Sequence, residues 1–164
     1  MGLTGGLAGN GKAALLAIQM WAEDVNKKGG LLGRKVELVY YDDQSNPSTV
    51  PGIYTKLLDV DKVDLVVSGY GTNLMAPAMP IIMQRGKVFM GLFGLAVNDQ
   101  FHYDRFFQIQ PNGPNAAKAF AEGYFDAAMT MEPKPKTVAI VGADDEYPKV
   151  ATEGVRALVK SLGL

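Results

Sequence analysis

The stretch Asp64-Leu65-Val66-Val67-Ser68-Gly69-Tyr70-Gly71-Thr72-Asn73 decides the fold. Leu65 to Ser68 reads as a short buried strand, apolar with two β-branched valines, that runs into a glycine-bearing turn. Beyond Asn73, the residues Met75, Met79 and Ile82 recur at helical spacing. Asn73 is a candidate N-cap, because its side-chain oxygen can accept an N–H of the first turn. Strand, turn and helix in this order form the end of an α/β sheet where ligands sit, and the free N–H groups there favour a carboxylate or another anion. Gly69 and Gly71 allow close backbone approach, Thr72 offers a hydroxyl and Tyr70 a ring with a polar tip. A second reading stands beside this one: an ordinary strand-to-helix turn whose glycines serve only the turn.

The pattern extends outward in both directions. Upstream, residues 11–28 read as a helix with Ala14, Leu15, Ile18, Trp21, Ala22 and Val25 as its apolar stripe, Asn10 as its cap and Gly29-Gly30 as its stop. A strand is predicted over Lys35–Tyr41, closed by Asp42-Asp43. A helix entered through Asn46-Pro47 follows, with Val50, Ile53, Tyr54, Leu57 and Leu58 inward. Downstream, a strand over Lys87–Leu92 runs into the small-residue turn Phe93-Gly94-Leu95-Ala96, and Arg105–Ile109 reads as a short strand. After the loop Pro111-Asn112-Gly113-Pro114, a helix near 115–131 is expected to bury Ala116, Phe120, Ala121, Tyr124 and Ala128. A valine-rich strand, Thr137–Val141, leads through Gly142–Tyr147 to a last helix carrying Val150, Val155, Leu158, Val159 and Leu162, with Gly163 as its C-cap.

Strands alternating with helices over short connections define an α/β fold, a doubly wound parallel sheet sandwiched by helices. No strand precedes the first glycine turn, although such a turn follows a central strand in doubly wound sheets. A further strand is expected after Leu162-Gly163-Leu164. The sequence therefore reads as one lobe, residues 1–164, of a larger protein with its first strand missing; a small domain that opens on a helix is the alternative.

The 164 residues suffice for one domain, which at this size buries roughly 70% of its unfolded surface. The net charge of −1 gives no general attraction to nucleic acid or anionic membrane. The chain has no cysteine, so disulfides and thiolate zinc sites are excluded. No run approaches the ~18 apolar residues of a membrane span, and the opening Met1–Gly6 reads as turn sequence rather than as a signal peptide. Gly6–Lys12 matches P-loop spacing, but Ala13 stands where a hydroxyl must meet Mg²⁺ and no strand precedes it. His102 is the only histidine and reads as a loop residue, so a triad or zinc site has no basis. Asp42-Asp43 and Asp144-Asp145-Glu146 are carboxylate clusters at strand ends, candidates for a cation or a ligand amine but read first as solvated loop charges. No cofactor is implied, and no nucleophile paired with a base is visible, so an enzyme is disfavoured.

Four stretches carry a family resemblance. Leu3–Gly11 looks like a first-strand-to-helix turn. Asp24–Val36 contains N-x-x-G-G-L-x-G-R-x-V, Tyr41–Pro47 contains D-D-x-x-x-P, and Gly142–Tyr147 looks like the loop after a lobe's last strand. Together they resemble the N-terminal lobe of type I periplasmic solute-binding proteins, the branched-chain amino acid receptor-like components of ABC importers. The resemblance spans the whole chain but about half of the family's two-lobed module. It implies a protein that traps a small solute between two lobes, an amino acid, carboxylate or amide, and passes it to an ABC permease outside the cytoplasm. A ligand-sensing domain of a receptor or regulator with the same fold is the alternative function.

Residue by residue, the resemblance implies that Gly71, Thr72 and Asn73 hold a ligand carboxylate. Phe93, Gly94 and Leu95 make the second contact, Tyr147 stacks or hydrogen-bonds, and Asn10 lines the cleft; Tyr70 joins them from its own loop. Amino-acid binders carry a hydroxyl near the position of Leu95. Phe93 and Leu95 are apolar here, which puts an aromatic or aliphatic carboxylate, or an amide, on an equal footing with an α-amino acid. A missing central strand would leave backbone groups unpaired, so the gap is expected to be filled by rearrangement or by another chain, strand exchange between identical copies being one route.

Overall fold

Val66–Tyr70 (β1), Phe89–Leu92 (β2) and Phe106–Gln108 (β3) form a parallel sheet in the order β1-β2-β3 in the computed structural model, which describes residues 1–110 and 113–164. Pro111 and Asn112 of the predicted loop lie outside the described residues. Helices flank this sheet: Ala8–Lys27 (α1), Val50–Thr55 (α2), Thr72–Met75 (α3), Met79–Gln84 (α4), Val97–Phe101 (α5), Ala116–Ala128 (α6) and Glu146–Leu162 (α7). A single 3-10 turn, Ala76–Ala78, joins α3 to α4, with Pro77 tolerated inside it. Among the described residues no helix is long and apolar enough to cross a membrane.

The core grows from the central strand-turn-helix unit. Leu74, Met75, Met79 and Ile82 of the helical stretch are fully buried against Phe89 of β2, with Val50, Tyr54, Leu58 and Val66 closing the cluster. The flexible methionines fill space between branched and aromatic neighbours. The Tyr54 ring meets Phe89 edge-on at 5.7 Å, and Phe89 meets Phe106 at 6.0 Å.

The β1–β2 ladder slips between Val67 and Tyr70: Val67 faces Met90, but Tyr70 faces Leu92. One extra residue on β1 is a bulge, which bends the strand just ahead of the glycine turn. Side chains replace the lost ladder bonds. The buried Ser68 hydroxyl accepts the Leu92 amide at 2.8 Å and donates to the Gly69 carbonyl at 2.7 Å. The Gly69 amide donates to the Tyr54 hydroxyl at 3.0 Å. Burial pushes the Tyr54 phenol well above its ordinary range, with the Gly69 bond opposing that shift.

Two predicted strands are not strands. Lys35–Tyr41 and Thr137–Val141 make no ladder, because an apolar alternation becomes a strand only when another backbone takes up its N–H and C=O groups. Around Val36 the Asn26 side chain does that work instead, accepting the Val36 amide at 2.7 Å and donating to its carbonyl at 2.9 Å. Val141 is fully exposed, while Val138 packs beneath α6 and α7.

Helix α1 starts at Ala8 after Leu7, so Asn10 lies inside its first turn and does not cap it. The start is fixed from outside: the Ser45 hydroxyl accepts the Leu7 amide at 3.0 Å and donates to the Thr4 carbonyl at 2.7 Å. Of the predicted α1 stripe only Ala22 is buried, and Trp21 stays exposed, because the sheet is too narrow to cover the helix. In α6, Phe125 rather than Phe120 or Tyr124 turns inward, packing with Ala121 against Leu158 of α7. A Cβ at Gly154 would collide with the Ala117 backbone, so the two helices touch at that glycine. Gly163 ends α7 with a left-handed φ of 73°, as the sequence predicts.

Ser68→Ala removes the buried hydroxyl that bridges the Leu92 amide and the Gly69 carbonyl across the slip. The expected loss of stability is ~1–3 kcal/mol in urea unfolding. Val67→Thr, at an exposed neighbouring position, should stay within ~0.5 kcal/mol of the parent.

Candidate functional site

Two loops leave the sheet, Tyr70–Asn73 after β1 and Phe93–Ala96 after β2, and the segment Asp145–Tyr147 enters α7 beside them. Each is tied to the next by a specific bond. The Leu95 amide donates to the buried Thr72 Oγ1 at 2.9 Å, which locks the second loop to the first. The Asn73 Nδ2 donates to the Asp145 Oδ2 at 3.3 Å, which locks the first loop to that segment. Asp145 also caps α7 by accepting the Glu146 amide at 2.8 Å.

The cap of α3 is Gly71, not Asn73. Gly71 has φ 95°, a conformation that favours glycine, and a Cβ there would lie 3.2 Å from the Asn73 Oδ1. Asn73 is thereby free to reach Asp145. The amides of Thr72, Asn73, Phe93 and Gly94 have no protein acceptor among the described residues. Four N–H groups in two adjacent loops form a cradle suited to a carboxylate or a carbonyl oxygen. The Thr72 hydroxyl, with one lone pair on Leu95, keeps its hydrogen to donate.

Rings stand around this cradle. Tyr70 and Phe93 lie 5.2 Å apart at a tilt of 36°, and Phe120 meets Tyr147 edge-on at 5.7 Å. Burial raises the Tyr147 phenol, and the nearby Tyr70 adds to the rise. Phe93 holds a left-handed φ of 46°, uncommon for a bulky residue.

The remaining predicted site residues have other surroundings. Leu95 is 1% exposed and packs with Ala116 and Ala151, so it supports the rim from behind. Gly94 is buried, and a Cβ there would press on Met75 at 2.9 Å and on Val97 at 3.0 Å. Asn10 is exposed on α1 and joins the rim only through Leu7, whose side chain reaches Gly71. Phe120 is the rim residue that sequence reasoning missed: helical spacing assigned it to the core, yet it is exposed beside Tyr147.

The carboxylate clusters are engaged internally. Asp42 accepts the Leu3 amide at 2.9 Å, the Thr4 amide at 3.1 Å, the Thr4 hydroxyl at 2.6 Å and the Gln44 amide at 2.8 Å. Asp43, 3% exposed, holds the Met1 ammonium at 2.8 Å. Asp144 pairs with Lys149 at 2.8 Å, a bond that lowers the carboxyl and raises the ammonium. Among the described residues no group of three or more carboxylates or histidines is arranged to hold a metal ion.

The chain matches the Periplasmic binding protein family over residues 1–164 and belongs to it. It is 28% identical, over 168 residues, to the leucine-, isoleucine-, valine-, threonine- and alanine-binding protein of Pseudomonas aeruginosa, covering 99% of this chain and 42% of that protein. It superposes with a TM-score of 0.79 on the substrate binding protein LivJ from Streptococcus pneumoniae in complex with isoleucine, at 20% identity, covering 94% of this chain and 43% of the other. A solute binding protein of an ABC transporter from Rhodopseudomonas palustris, in complex with 3,4-dihydroxy benzoic acid, gives the same TM-score of 0.79 at 21% identity, covering 99% and 42%. The chain thus spans less than half the length of these relatives, and its fold is that of a type I periplasmic binding protein lobe.

The clasp at Asp42 has a defined pH response. The Thr4 hydroxyl foremost, then the Gln44, Leu3 and Thr4 amides, hold its carboxyl well below the ordinary carboxylate range. A depressed folded pKa contributes stability above the unfolded value of ~3.9 and loses it only as pH falls through the folded value. Amide exchange at Leu3 and Thr4 should therefore stay slow down to about pH 4 and quicken only well below it. In Asp42→Ala, which removes the acceptor oxygens, the protection of those two amides should be lost throughout.

Proposed function

We propose that this chain is the N-terminal lobe of a two-lobed solute-binding component of an ABC importer. It captures a small carboxylate, amino acid or amide in the cleft between its lobes, and acts by binding rather than turnover. The observation that carries the reading is the cradle of unpartnered amides at Thr72, Asn73, Phe93 and Gly94, held in one place by the Leu95–Thr72 bond. A second lobe closing over this rim would exclude water and strengthen each of those bonds. Family membership supports an extracytoplasmic setting and delivery of the solute to a permease. Gly71, Thr72, Asn73, Phe93 and Gly94 would take the polar head of the solute, Tyr70 and Tyr147 its flanks, while Asn10 and Leu95 border the site.

The test is a titration of the isotopically labelled chain with acetate, acetamide and leucine, followed by NMR. The amide signals of Thr72, Asn73, Phe93 and Gly94 should move together for at least one of them. Thr72→Val should weaken that binding by roughly tenfold, the value of one hydrogen bond to a charged group. Should none of the three solutes move these signals, the assignment fails.

A homo-oligomer formed by strand exchange is supported by the apolar residues left open near the edge strand β1. Val39, Tyr40, Leu65 and Val67 are all exposed, and Lys35–Tyr41 makes no ladder. Light scattering should return a mass above 17.6 kDa that falls on dilution; a monomer at all concentrations would rule exchange out.

A further inference from the structure

The rim separates its aliphatic from its aromatic side chains. Leu95 of the second loop and Leu74, just beyond the first, are 1% and 0% exposed and belong to the core, and Leu7 beside Gly71 is partly buried. The side chains turned outward are rings. Phe93 is 42% and Phe120 45% exposed, and each is the outer member of a pair whose partner, Tyr70 or Tyr147, is half-buried. The two pairs are held to one another: Asn73, three residues after Tyr70, bonds Asp145, two residues before Tyr147. The arrangement is therefore one wall of four rings beside the amide cradle.

Phe93 adds an independent observation. Its left-handed φ is costly for a bulky side chain, and its ring is not part of the buried clusters. The fold thus holds an exposed ring in an unfavourable backbone conformation at the edge of the cradle.

We propose that the solute is a small aromatic carboxylate, its acid group in the amide cradle and its ring against Tyr70, Phe93, Tyr147 and Phe120. The inference rests on the solute-binding reading above and narrows it to one chemical class. Rings meeting rings edge-on or offset gain beyond the area they bury, whereas a branched aliphatic body gains area alone.

Benzoate, cyclohexanecarboxylate and leucine, titrated separately into the full chain, separate the possibilities. Benzoate should shift the ring signals of all four residues and bind roughly tenfold tighter than cyclohexanecarboxylate, its saturated counterpart. Phe93→Leu should abolish that preference while the unfolding midpoint stays at or above the parent's, since the ring is outside the core. If cyclohexanecarboxylate or leucine binds the same loops as tightly as benzoate, the aromatic assignment is overturned and the solute-binding reading stands. Benzoate affinity unchanged in both Phe93→Leu and Tyr147→Leu would also overturn it. If no acid moves the loops, both readings fall.

Discussion

At the end of β2 the Leu92 amide donates to the buried Ser68 hydroxyl, which itself donates to the Gly69 carbonyl. That bridge is what the rest of the rim depends on. The β1 backbone has one residue too many for its partner at this level, and the Ser68 hydroxyl bridges the slip. With it, the two outgoing loops meet closely enough for Leu95 to bond Thr72. The Gly69 amide donates to Tyr54, so the first loop is anchored to the core on one side and to its neighbouring loop on the other.

Packing is uneven around this anchor. The unit from β1 through α4 to β2 contributes the fully buried side chains, and its order is over-determined by hydrophobic contact. The outer segments are held by individual polar bonds instead. Asn26 clasps Val36, Asp42 gathers the turn before α1, and Asp59 receives Arg85 in a two-pronged pair at 2.6 and 2.7 Å. Such segments open locally at lower free energy than a core strand does. The candidate edge is therefore built on the most densely packed part of the molecule, while α1 and Lys35–Tyr41 make up a more exposed flank.

The central unit was legible in the sequence because local signals agreed there: valines, then glycines, then helical spacing. The helices α2, α6 and α7 were legible for the same reason, and Gly163 marked its own turn. The strands at Lys35–Tyr41 and Thr137–Val141 were misread because alternation reports a surface suited to pairing and says nothing about the presence of a partner. Trp21 was assigned to the interior on the same kind of evidence, since periodicity gives the face of a helix but not the width of the sheet beneath it. At the rim, Tyr70, Thr72 and Phe93 were found from their positions after strands. Asp145 was read as a solvated charge because its bond to Asn73 spans 72 residues, and no spacing rule reaches that far. Phe120 and Phe125 lie about 140° apart round one helix, so their spacing separates two faces but does not say which of them meets α7.

The left-handed backbone at Phe93 makes that position a point of conflict between robustness and use. Glycine or asparagine would relax the chain there, so drift toward a sturdier molecule has an easy route that removes a ring. A chain that retains phenylalanine at this place keeps a built-in weakness, and directed evolution for heat tolerance alone would be drawn to erase it first.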